Sequence, residues 1–182
     1  MNKFFISIAV LFMSSVCTSW AQIDEEVYVS ADKEIDNYDF LYNNAEDFSY
    51  DVSAVEDLMR EAMSHLGTPY RLGSKGPNRF DCSGFTSYVY KQQKNQNIGS
   101  CSREQYQRNV PVKRGDLQRG DLVFFTSPRS GKNVGHVGIV VEVDPVTNDF
   151  TFIHASTKEG VKISKSTESN YARRYIGARR VE

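Results

Sequence analysis

The chain predicts an α+β fold, with helices first and an antiparallel sheet after them. Three observations carry this reading. Apolar residues recur at helical spacing over 53–66, a second helix pattern starts behind an aspartate at 81, and after residue 119 the pattern changes to short β-rich runs separated by turn residues. At 182 residues there is room for one such domain with appendages, and a domain of that size buries a core unaided.

The elements follow in order. Lys3, the apolar run FFISIAVLFM and Ser19-Trp20-Ala21 before Gln22 read as a secretory signal peptide over residues 1–21, so an exported protein, periplasmic or secreted, is expected. The run falls short of the roughly 20 apolar residues of a spanning helix, so no integral membrane segment is expected in the mature chain. A lipoprotein anchored through Cys17 is the alternative, opposed by Val16, since lipoprotein signals want a small residue before the cysteine. Residues 22–52 read as an acidic, disordered leader. Between 22 and 56 eleven acids face one base, Lys33, without a sustained apolar period. From residue 57 onward 20 bases face 12 acids, a balance that favours an anionic partner. These bases are scattered and no nucleic-acid motif accompanies them, so nucleic acid is not an expected partner.

The folded domain is expected over 53–182. In SAVEDLMREAMSHLG, Ser53 and Glu56 make a capping box, and Val55, Leu58, Met59, Ala62, Met63 and Leu66 form one buried stripe before Gly67 stops the helix. His65 reads as a residue suited to the helix C-terminus. The Gly- and Pro-rich GTPYRLGSKGPN is a shaped loop. Asp81 then caps a helix whose first residue is Cys82, with Phe85, Tyr88 and Val89 on one side. Five strands follow in GDLVFF, GHVGIVVEV, FTFIHAS, VKISK and RRYIGARRV, in a sheet able to curl into a half-barrel with the helices on one face.

Once the signal is removed, Cys82 and Cys101 remain in an exported chain, where they either pair or leave a working thiol. Cys101 lies in NIGSCSREQ, a polar connection. Cys82 sits at a helix start, where the macrodipole can lower a thiol pKa from about 8.5 to about 3.5–7.5 and the free N–H groups can hold an oxyanion. That position alone also fits an inert buried cysteine, so nucleophilic chemistry requires a base. His136, with Gly135 and Gly138 clearing space around it, and His154 stand in two strands that can lie side by side. A metal site built from these residues is disfavoured, since no CxxC or HxxxH pairing is present.

In this order, GTPYRLG, RFDCSGF, GDLVFF, GHVGIV and FIHAS resemble the NlpC family of bacterial cell-wall cysteine peptidases, over residues 53–182. The resemblance implies a papain-like fold, in which N-terminal helices pack on a five- to six-stranded antiparallel sheet, and no cofactor. It implies Cys82 as nucleophile, His136 as general base and His154 as the residue that orients the imidazole. Tyr70 is implied to polarise the carbonyl or hold substrate, and Asp81 and Ser83 either to bind the peptide or, for Asp81, simply to cap the helix. Ser74 departs from the second glycine that many relatives carry. The implied substrate is the stem peptide of peptidoglycan, typically cut at the D-γ-glutamyl–diamino acid bond. An N-acetylmuramoyl-L-alanine amidase, an endopeptidase that cuts cross-links and a non-catalytic wall-peptide binding module remain as alternatives.

Overall fold

A computed structural model describes residues 53–182. The expected signal peptide, the acidic leader and Cys17 lie outside the described residues. The first helix, α1, spans 53–64 and buries Leu58, Met59 and Ala62 completely or nearly so. Leu66, expected in the same stripe, is 49% exposed. The helix ends before it, and the chain turns away at Gly67, whose φ of +81° lies in the left-handed region. Helix α2, Cys82–Lys94, starts where expected. The Asp81 side chain accepts from Gly84 N–H, and Asn95 closes the helix in a left-handed conformation, donating to Lys91 O. Phe85, Val89 and Tyr90 form its buried side.

Two elements replace the expected polar connection: α3, Ser102–Arg108, and a short strand β1, Val110–Val112. Helix α3 has no apolar stripe, and its only buried residue is Gln105. Gln105 holds the helix in place by polar contacts. Its amide donates to Ser83 O at 3.1 Å, Ser87 Oγ at 2.9 Å and Gly99 O at 3.2 Å, and its carbonyl accepts from Thr86 Oγ1 at 2.9 Å. A helix held this way leaves no hydrophobic period to read.

The remaining strands are β2 (Leu122–Thr126), β3 (Val134–Val143), β4 (Phe150–Ser156), β5 (Gly160–Lys165) and β6 (Tyr175–Arg180), with a four-residue helix α4, Ser169–Ala172, between the last two. They form one six-stranded sheet in the order β1-β6-β2-β3-β4-β5, and every neighbouring pair is antiparallel. Alternation along the strands divides the core in two. Leu122, Phe124, Val137, Ile139, Ile153 and Ala155 meet the helices, whereas Val123, Phe125, Val140, Phe152 and Ala178 cluster on the other face under Tyr171. Burying each of the larger side chains contributes roughly 1.5–3 kcal/mol. A bidentate ion pair from Arg180 to the buried Asp121, at 2.9 and 2.8 Å, fastens β6 to the start of β2.

Two irregularities shape the region around His136. Thr126 pairs with Val134 but Phe125 with His136, so Gly135 is an extra residue in β3. Bulges of this kind re-aim the side chain beside them. In addition, the β3–β4 ladder runs between Ile139–Ile153 and Val143–Phe150, so the two strands are unpaired where His136 and His154 stand.

Candidate active site

The helix start is built by the loop before it. Arg71 N–H donates to Phe80 O at 2.9 Å, Phe80 N–H to Pro69 O at 3.1 Å and Asp81 N–H to Ser74 O at 2.8 Å, which folds the loop back against α2. The approach is close enough that a Cβ at Gly84 would lie 2.2 Å from Ser74 O, so only glycine fits there. Both Asp81 oxygens are engaged. Oδ1 accepts Gly84 N–H at 2.6 Å and Ser83 Oγ–H at 3.0 Å, and Oδ2 accepts Gly73 N–H at 2.8 Å. Ser83 is itself buried. Of the two roles considered for Asp81, this network accounts for the cap, and it turns the Ser83 hydroxyl toward that cap.

Tyr70 and Cys82 both pack against the helix-side core. Burial, then the charges of Cys82 and Asp81, raise the Tyr70 phenol above its ordinary value. The backbone N–H groups of Ser83 and Val137 favour the Cys82 thiolate. Val137 follows His136 on β3, the strand that carries the imidazole.

His136 Nε2 lies 3.0 Å from His154 Nδ1. The second ring is fully buried, stacked on Phe152 at 4.9 Å, with its Nε2 3.3 Å from Ser164 Oγ and 3.2 Å from Tyr171 Oη. Gly138 makes the arrangement possible, since a Cβ there would sit 2.7 Å from Phe152 and 3.1 Å from the His154 Cβ. Ser164 and Tyr171 were not expected from sequence. Ser164 follows the alternation of β5 and Tyr171 falls in an unpatterned connection, so neither carries a chemical signature.

The electrostatics correct one expectation. Burial, followed by the Asp81 charge, pushes the Cys82 thiol up to about 11, against the opposing backbone N–H groups. Burial, then Arg174, pushes His136 down to about 4. Burial, then His136 and Lys162, pushes His154 down to about 2. Desolvation therefore outweighs the helix dipole and biases both groups toward their neutral forms, against the low-pKa thiolate expected. With His136 Nε2 committed to His154, Nδ1 is the ring nitrogen left free of that contact.

Cys82 and Cys101 are both free, Cys82 half-buried and Cys101 exposed at the start of α3. Ahead of Gly135 lies a cavity of about 270 Å³ lined by Arg103, Tyr106, Gln107, Lys132, Asn133 and Val134, with two cations and no acid in its wall. His65 plays no part in the site: its ring packs edge-on against Phe80 and Tyr88, and Nε2 lies 3.1 Å from Glu61.

The chain is similar to known proteins in sequence and in fold. A family model described as the NlpC/P60 family matches residues 67–180. The Escherichia coli (strain K12) protein named murein DD-endopeptidase MepS/murein LD-carboxypeptidase is 30% identical over 176 residues, which cover 97% of this chain and 89% of that protein. A probable endopeptidase p60 of Listeria grayi is 44% identical over 84 residues, 46% of this chain; the match spans only 16% of the Listeria protein. A Staphylococcus aureus crystal structure described as similar to lipoprotein, NLP/P60 family, superposes with a TM-score of 0.62 at 30% identity, over 71% of this chain and 41% of that one.

Proposed function

The chain belongs to the NlpC/P60 family, and from that premise we propose that it is a cysteine endopeptidase that hydrolyses amide bonds in the stem peptides of peptidoglycan. The observation that carries this reading is the 3.0 Å contact between His136 and His154, in a chain whose helix α2 begins at Cys82. Cys82 is the nucleophile, His136 the general base and His154 its orienting partner.

Attack of Cys82 Sγ on the carbonyl carbon transfers the thiol proton to His136 Nδ1 and forms the C–S bond. The oxyanion lies against backbone N–H groups at the start of α2, with the Tyr70 hydroxyl as a further donor. Collapse breaks the C–N bond, and His136 returns the proton to the leaving amine. Water, deprotonated by the same nitrogen, then hydrolyses the thioester. Asp81 and Ser83 serve this chemistry by holding the helix start in place.

Of the candidate bonds, the D,D cross-link is favoured by the name of the E. coli relative that matches 97% of this chain. The D-γ-glutamyl–diamino acid bond is the second reading, favoured by the motif resemblance. Both substrates carry free carboxylates, which suit Arg103 and Lys132 in the cavity ahead of Gly135. Residues 1–21 direct export, and the protein acts on the wall outside the inner membrane.

Digesting purified peptidoglycan and weighing the soluble products separates the readings. Loss of cross-linked dimers to monomers of unchanged stem length supports the D,D bond, and stems cut after glutamate support the second reading. Release of whole stems from glycan indicates the amidase. No release by the parent protein, with Cys82→Ser as the inactive reference, indicates a binding module.

A further inference from the structure

We propose that Ser164 and Tyr171 are positioning residues that supply the acceptor for a proton on His154 Nε2, and thereby keep His136 Nδ1 free to act as the base. This rests on the proposed function of the His136–His154 pair.

The reasoning follows a single proton through the pair. Only one of His136 Nε2 and His154 Nδ1 carries hydrogen across their 3.0 Å contact. For His136 to receive the thiol proton on Nδ1, its own proton must sit on Nε2 and point to His154 Nδ1. His154 then carries its proton on Nε2. That N–H lies in the interior, since His154 is fully buried and Ser164 and Tyr171 are 2% and 9% exposed. A buried N–H without an acceptor is strongly disfavoured. The Ser164 Oγ at 3.3 Å and the Tyr171 Oη at 3.2 Å are the oxygens within reach.

The alternative state shows why this matters. With the proton on His154 Nδ1, His136 must hold its own on Nδ1, and no free ring nitrogen remains to act as base. The charged neighbours act in the same direction as the hydroxyls. Burial first, then the Lys162 charge at His154 and the Arg174 charge at His136, oppose a second proton on the pair, so the ring stays neutral. Packing fixes the tyrosine in turn. Its ring contacts Phe125 at 5.3 Å, Phe152 at 4.9 Å and His154 at 5.3 Å, so α4 and its flanking turns cover the histidine pair on the face opposite the helices. Hydroxyl removal with the ring retained therefore isolates the hydrogen bond from the packing.

The test uses Tyr171→Phe, Ser164→Ala, the double variant, and Tyr171→Phe combined with Ser164→Thr, with Cys82→Ser and His136→Ala in parallel. Each single variant is expected to lose less than about tenfold in kcat, because one oxygen remains. The double variant is expected to lose on the order of 10–100-fold in kcat with KM unchanged, and Ser164→Thr in the Tyr171→Phe background to restore most of it. Long-range ¹H–¹⁵N spectra of the unmodified protein should report His154 with its proton on Nε2, a measurement that does not depend on any variant folding. A folded double variant with kcat within threefold of the parent, or an Nδ1 proton on His154 in the parent, overturns the inference. If Cys82→Ser or His136→Ala is also active, the proposed chemistry itself has failed; if both are inactive, only the role of Ser164 and Tyr171 has.

Discussion

At the scale of single residues, the site depends on keeping two groups uncharged that elsewhere titrate near neutrality. His136, pushed down to about 4, remains a free base at pH 5, where an ordinary histidine would be mostly protonated. The acid limb of kcat/KM is therefore expected near pH 4 rather than near 6.5, and a pH profile measures it. His136→Ala should lower the rate by on the order of 10²–10⁴. His154→Ala should cost less, and His154→Gln less again, because an orienting group need only accept a hydrogen bond from Nε2 of His136. Equal and total loss in all three would make His154 a base in its own right. Cys82, pushed up to about 11, should react with iodoacetamide slowly at pH 6 and faster with each pH unit through 9, while the exposed Cys101 is modified first. Rapid labelling of Cys82 at pH 6 would instead reveal a thiolate–imidazolium pair.

At the scale of elements, the meeting of α2 with its preceding loop sets where the thiol stands. Gly84→Ala would drive a methyl group to 2.2 Å from Ser74 O, a backbone atom that cannot swing aside, so the loop or helix must move. A loss of about 1–3 kcal/mol in stability is expected from such overpacking, with a fall in kcat as the thiol shifts; chemical denaturation and turnover measure the two separately. Asp81→Ala should cost about 0.5–2 kcal/mol through the lost cap. The parts of the fold that could be read in the sequence are those driven by apolar period or cap chemistry: α1, α2 and the five strands from β2 to β6. Those that could not are held by polar contacts. Gln105 anchors α3 through four hydrogen bonds without any hydrophobic repeat, and β1 is three residues long. In the site, Cys82, His136 and His154 were legible because a helix-start cysteine and strand histidines carry chemical meaning together. Ser164 and Tyr171 were not, because their role exists only once β5 and α4 have folded around His154. The thiol expectation failed for a related reason: a helix dipole can be inferred from local sequence, whereas desolvation depends on the whole enclosure.

At the scale of the molecule, the chain divides into an acidic N-terminal stretch and a basic remainder, and the two stretches have separate tests. Deleting residues 22–50 should leave a folded, active protein, judged by circular dichroism and peptidoglycan release; failure to fold would mean that the acidic stretch packs on the core. The sheet itself makes a stability prediction through its buried histidines. In the folded protein His136 and His154 stay neutral down to about pH 4 and 2, whereas in the unfolded chain each binds a proton near 6.5. Between those limits the unfolded state holds more protons than the native state, so acid favours unfolding. The stability these groups provide is fully present above about pH 6.5 and is lost as pH falls through about 4 for His136 and about 2 for His154, by about 1.4 kcal/mol per pH unit for each between those limits. Replacing His154 with Gln removes one of the two groups. Denaturant titrations between pH 7 and 4.5 should then give a shallower fall in stability for His154→Gln than for the parent, by about half of the histidine contribution. Parallel slopes would mean that His154 is already protonated in the native state, which would also end its role as the acceptor for His136.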